Sequence, residues 1–120
     1  GNFIANLKVS RLGGVIRCLE MVSALRKSGY PIIVGAHVGE TSILTRAGMC
    51  VANAAGENLA AQEGGYGLLI LKKEPLTPSL MFGDFGRINL REPYQIKTPD
   101  KVIEVPVKHW DSGWGLKHSP

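Results

Sequence analysis

The feature that most limits how this chain can fold is a rhythm near its start: an apolar run, a turn and a helix-periodic segment, then the same again. Residues 3–9 (FIANLKV) form a short, mostly apolar run that ends at Arg11-Leu12-Gly13-Gly14, the pattern of a strand and a tight turn. Val15, Leu19, Val22 and Leu25 then recur at helical spacing and Gly29 follows as a C-cap, so a helix is expected over 15–28. Residues 31–36 (PIIVGA) are a second β-branched run, and Thr41-Ser42 supplies an N-cap for a helix over 43 to about 55. A third, shorter unit begins at 59–63 (LAAQE), turns at Gly64-Gly65 and continues as a helix over 66–73, a segment whose periodicity suits a strand equally well.

Strands that alternate with helices in this way predict parallel βαβ units, because parallel neighbours need a crossover that packs one helix face on the sheet. After Glu74 the texture changes. Pro75, Pro78, Gly83, Gly86, Pro93, Pro99 and Pro106 punctuate the rest, and only short runs such as 101–107 (KVIEVPV) can make an edge strand. The organisation read from the chain is a strand–helix segment over 1–74 and a Pro/Gly-rich wrapping tail over 75–120.

Several function classes fall away at once. The 120 residues carry a net charge of only +4, with no basic stretch on one face, so no nucleic-acid partner is expected. No apolar run reaches about 18 residues and no cleavable leader is evident, so no membrane span is expected and a cytoplasmic location is. The start at Gly1 is compatible with a tag scar, a processing product or a cut through a longer gene. Cys18 and Cys50 sit far apart in apolar helical runs without metal-ligand spacing and read as buried thiols. His109 and His118, with Trp110 and Trp114 between them, fit a tail packing on a core better than a metal or base-stacking site. No P-loop, HExxH, GxSxG or EF-hand pattern occurs, and GGYG and GDFG lack the setting of a dinucleotide site.

Parallel α/β folds place their ligand sites at the carboxyl ends of the strands. That rule singles out Lys8 and Ser10 after the first strand, His37 and Glu40 after the second, and Gln62 and Glu63 at the third. A desolvated lysine can serve as a general base towards a carbon-bound proton, or Lys8 can simply snorkel or pair with a carboxylate. His37 is either a proton shuttle or a hydrogen-bonded packing residue. Glu40 precedes Thr41-Ser42, where a carboxylate also complements a helix N-terminus. Glu63 follows an apolar LAAQ, where burial would raise its pKa unless a cation such as Lys8 partners it.

These residues carry a family likeness. The stretch Asn6-Leu7-Lys8-Val9-Ser10-Arg11-Leu12-Gly13-Gly14 resembles the sixth barrel strand of the enolase superfamily, in its muconate-lactonizing, mandelate-racemase and dipeptide-epimerase branches. Val34-Gly35-Ala36-His37-Val38-Gly39-Glu40-Thr41-Ser42 is similar to the seventh strand and its loop, and Ala60-Ala61-Gln62-Glu63-Gly64 to the eighth. Pro78 through Gly83, and Val105-Pro106 through Leu116, resemble the stretch that leaves the barrel and returns toward the capping domain.

The resemblance implies an α/β fold: a partial TIM-type (β/α)7β barrel, its last three strand–helix units plus an extended C-terminal tail. A complete barrel of this kind takes about 250 residues, so the length suits such a part. It implies Lys8 as acid/base next to a carboxylate and Glu63 as a contact to substrate or intermediate. Ser10, His37 and Glu40 would bind substrate or support the site. His37 lies beside the seventh-strand histidine of the mandelate-racemase branch, which carries an acid where Lys8 stands. The family's chemistry, of isomerase and lyase type, removes a proton α to a carboxylate with magnesium as Lewis acid, and its metal ligands lie on strands this sequence lacks. The expected partners are a second copy of the chain or a complementing barrel chain, with a small carboxylate as the parent enzyme's substrate; a split-enzyme subunit and a non-catalytic oligomeric binding module are the alternatives.

Overall fold

A computed structural model describes residues 2–65, 67–81, 83–88 and 94–105. The expected rhythm is present. Strand β1 (Ala5–Lys8) leads through a single helical turn, α1 (Val9–Leu12), into helix α2 (Val15–Lys27). Strand β2 (Ile32–Gly35), helix α3 (Ser42–Ala55) and strand β3 (Leu59–Gln62) follow. All three strands are parallel in the order β1-β2-β3, as βαβ units require.

The helices cover one face of this sheet. Leu7 from β1 and Ile32 and Val34 from β2 are buried against Cys18 and Val22 of α2 and Val51, Ala52 and Ala55 of α3. Alternation along each strand sends Asn6, Lys8, Ile33, Gly35 and Ala61 to the opposite face. There Asn6 and Ala61 are exposed and Lys8 and Ile33 half-buried. Parallel sheets are ordinarily covered on both faces, and among the described residues no helix lies on this one.

Beyond β3 the structure departs from the sequence reading. The helix expected over 66–73 is replaced by one 3-10 turn, Gly67–Leu69, and the part of that expectation resting on Tyr66 lies outside the described residues. A close approach gives the reason: a Cβ on Gly67 would stand 2.2 Å from the Glu40 carbonyl oxygen, so the chain is pressed against the β2–α3 loop. Residues past Glu74 form a second sheet, in which β4 (Leu76–Thr77), β5 (Tyr94–Lys97) and β6 (Val102–Val105) pair antiparallel. Of the edge strand expected over 101–107, β6 accounts for Val102–Val105, and residues 106–107 lie outside the described residues; β4 and β5 were not foreseen. Leu76 and Leu80, with Ile88 and Ile96 against them, form a small core there.

The architecture is mixed α/β with a small parallel and a small antiparallel sheet, and the described strands close no barrel. Closure needs strands that return to the first edge, and β1 and β3 are both edges of their sheet. No described helix is long and apolar enough to cross a membrane. Cys18 and Cys50 are buried free thiols, as expected; burial raises both, and pushes Cys50 up to about 11.

Candidate functional site

The carboxyl edge of the parallel sheet brings the sequence-derived residues together, through register. Lys8 is the last residue of β1 and pairs with Gly35, the last of β2. Between β2 and β3 the register shifts: Ile32 pairs with Leu59 but Ile33 with Ala61, so Ala60 is an extra residue on β3. Val34 then pairs with Gln62, and the Glu63 amide donates to the Val34 carbonyl at 2.8 Å. Continuing that register by one residue sets Glu63 beside Gly35. Without the bulge Gln62 would occupy that place, because a slip of one residue exchanges the two faces. Lys8, Gly35 and Glu63 thus form one row across the ends of three strands.

Two carboxylates organise the loops above this row. Glu40, half-buried, accepts at one oxygen, Oε1, from Ser10 Oγ at 3.0 Å and from the His37 main-chain N–H at 2.9 Å. That oxygen ties the α1 turn to the β2–α3 loop. Gly67 packs on the carbonyl of the same residue, so all three strand-end loops meet at Glu40. Glu63 Oε2 accepts the Ala36 N–H at 3.1 Å, which fixes the carboxylate over the end of β2.

The structure assigns some residues a different part from the one the sequence suggested. Glu40 does not cap α3: its carboxylate serves Ser10 and His37 instead. The cap comes from Glu74, whose Oε2 accepts the Ser42 N–H at 2.8 Å and whose Oε1 accepts from Ser42 Oγ. Thr41 stands at the N-cap position without a side-chain hydrogen bond. Ser42 Oγ in turn accepts the Leu80 N–H at 2.7 Å, so the helix start also anchors the chain beyond Glu74. His37 meets Glu40 through its main chain, while its side chain is exposed. Glu63 is exposed rather than buried, so the burial argument for it does not apply to the chain as it stands.

Asn6 and Gly35 were missed. The signal was available in the alternation that places Asn6 with Lys8, and in a glycine ending a β-branched strand, a place where something approaches the backbone closely. A Cβ on Gly35 would stand 2.2 Å from Asn6 Oδ1 and 3.1 Å from Lys8 Cε.

Among the described residues no group of three or more histidine, cysteine, aspartate or glutamate side chains converges on a point that could hold a metal ion. Glu40 and Glu63 are each engaged by N–H or O–H donors. The described carboxylates do not fit a magnesium site. His109, Trp110, Trp114 and His118 lie outside the described residues. The chain matches no family model, no curated protein and no solved structure.

Proposed function

We propose that the row Lys8–Gly35–Glu63 is one side of an acid–base site acting on a small carboxylate, and that the chain corresponds to the C-terminal part of an enolase-superfamily type of enzyme. On this reading Lys8 exchanges a proton with the carbon next to the substrate carboxylate, and Glu63 contacts substrate or intermediate. Ser10, His37 and Glu40 support the rim, with Glu40 joining the loops. The observation that carries the proposal is the placement of an ammonium and a carboxylate at the carboxyl ends of the two parallel strands that flank β2, on the face that no described helix covers.

Proton abstraction next to a carboxylate produces an enediolate, whose charge must be stabilised to make the step accessible. In the family that stabilisation is supplied by magnesium; this chain contributes the proton-transfer lysine and a carboxylate but not the metal ligands. The isolated chain is therefore inactive. Covering the open face with a second copy or a complementing barrel chain would desolvate Lys8, the condition under which a lysine serves as base.

Exchange of the α-hydrogen in deuterated buffer, followed by NMR over a panel of α-proton acids and dipeptides with magnesium, tests this. No exchange is expected from the chain alone. Exchange is expected when a chain carrying the preceding strand–helix units is supplied, and it is lost in Lys8→Ala. Metal-dependent exchange by the isolated chain, or a complemented activity indifferent to Lys8→Ala, would overturn the proposal. The split-enzyme alternative gives the same outcome from two natural chains, whereas a binding module would show no Lys8-dependent exchange.

A further inference from the structure

We propose that Gly35 is a positioning residue for Lys8: the missing side chain at this one place in β2 lets the lysine stem lie across the neighbouring strand, toward Glu63. The inference rests on the reading of Lys8 and Glu63 as paired site residues, and it assigns a part to a glycine that bears no reactive group.

Neighbouring parallel strands lie about 4.8 Å apart, so Lys8 and Glu63 are separated by the full width of β2. Gly35 stands between them in the same row. The space a Cβ would take is already filled by Asn6 Oδ1, at 2.2 Å, and by Lys8 Cε, at 3.1 Å. Asn6 lies one alternation before Lys8 on the same face, so its amide backs the lysine stem and leaves it over Gly35. From the other side, Glu63 Oε2 is held on the Ala36 N–H, the next peptide along. Both side chains therefore converge on the Gly35–Ala36 segment. The three nearest neighbours of the absent Cβ are side-chain atoms, two from Asn6 and one from Lys8, and Gly35 is not among the positive-φ glycines. Alanine there should displace Asn6 and Lys8 while leaving the backbone in place.

Reductive methylation with carbon-13 gives each lysine an NMR signal, and Lys8→Ala assigns the one from Lys8. Glu63→Gln is expected to shift that signal in the native background. With Gly35→Ala the signal moves from its native position and its response to Glu63→Gln is lost. Asn6→Ala combined with Gly35→Ala restores the response, because the methyl then occupies the space the amide left. A Lys8 signal that ignores Glu63→Gln in the native chain, or responds equally with alanine at 35, overturns the inference. So does a Gly35→Ala chain that fails to fold by circular dichroism, since only two side-chain ends should have to yield. No substrate, metal or second chain is needed, so failure of the proton-abstraction reading would leave this result standing, and the reverse.

Discussion

Replacing Ser42 with alanine should destabilise the chain by about 2–4 kcal/mol, a large effect for the loss of one hydroxyl. Ser42 is 3% exposed and opens α3. Its hydroxyl stands in a relay: the Leu80 N–H donates to Ser42 Oγ at 2.7 Å, and Ser42 Oγ–H donates to the Glu74 carboxylate. Removing it leaves the N–H of Leu80, a 3% exposed residue, without its acceptor, at a cost of about 1–3 kcal/mol. A hydrogen bond to a charged group, about 1.5–3 kcal/mol, goes with it. The two losses share one atom and do not add fully, while the better helix propensity of alanine returns only a few tenths of a kcal/mol, roughly.

Glu74→Gln is milder, about 1–2 kcal/mol. The amide oxygen can still accept the Ser42 N–H, but the negative charge at the helix start is lost, worth about 0.3–1 kcal/mol, together with one charge-assisted bond. Urea unfolding of both variants and the double variant measures the coupling. A Ser42→Ala loss below about 0.5 kcal/mol, the range of an ordinary surface change, or additive effects in the double variant, would refute the relay.

Other expectations follow from the same geometry. Gly67→Ala should cost more stability than Gly35→Ala in the same urea assay, because the Cβ at 67 meets the Glu40 backbone at 2.2 Å whereas the atoms nearest to that at 35 belong to side chains. Cys18 and Cys50 should resist alkylation in the native chain near neutral pH and react on unfolding, as mass spectrometry would show. Because the folded thiol of Cys50 is raised from 9.0 to about 11, its contribution to stability is complete below pH 9.0 and falls as pH rises through that window; Cys50→Ala should flatten the alkaline decline seen by thermal unfolding. Arg26→Ala should cost roughly 0.5–1.5 kcal/mol by removing the 3.0 Å bond from Arg26 to the Ala54 carbonyl, which joins α2 to the end of α3. Light scattering at micromolar concentration should show an assembly larger than one chain, since among the described residues the parallel sheet has a face without a helix and two unpaired edges; a well-folded monomer would count against that.

The strand–helix rhythm was legible because periodicity and capping are local. Ile32 and Val34 alternate toward the core, α2 stops at Lys27 before Gly29, and α3 begins at Ser42 after Thr41, all within a residue or two of the sequence reading. The same locality explains the misses. The segment after Gly65 has an apolar pattern that suits a helix, yet the close packing of Gly67 on Glu40 holds it as a single 3-10 turn. Nothing near Glu74 in sequence announces that it caps a helix starting at Ser42.

For the site, the sequence by itself determined which chemistry-bearing residues end the strands: Lys8, then His37 and Glu40, then Glu63. Only the tertiary structure decided which of them share a row. The bulge at Ala60 sets Glu63 rather than Gln62 in the row that Lys8 and Gly35 share, and Gly35 between them acquires meaning from the Asn6 and Lys8 atoms that fill its missing Cβ. Residue type is written locally, but register and close approach are set by strands that meet across long stretches of chain, after their helices have packed.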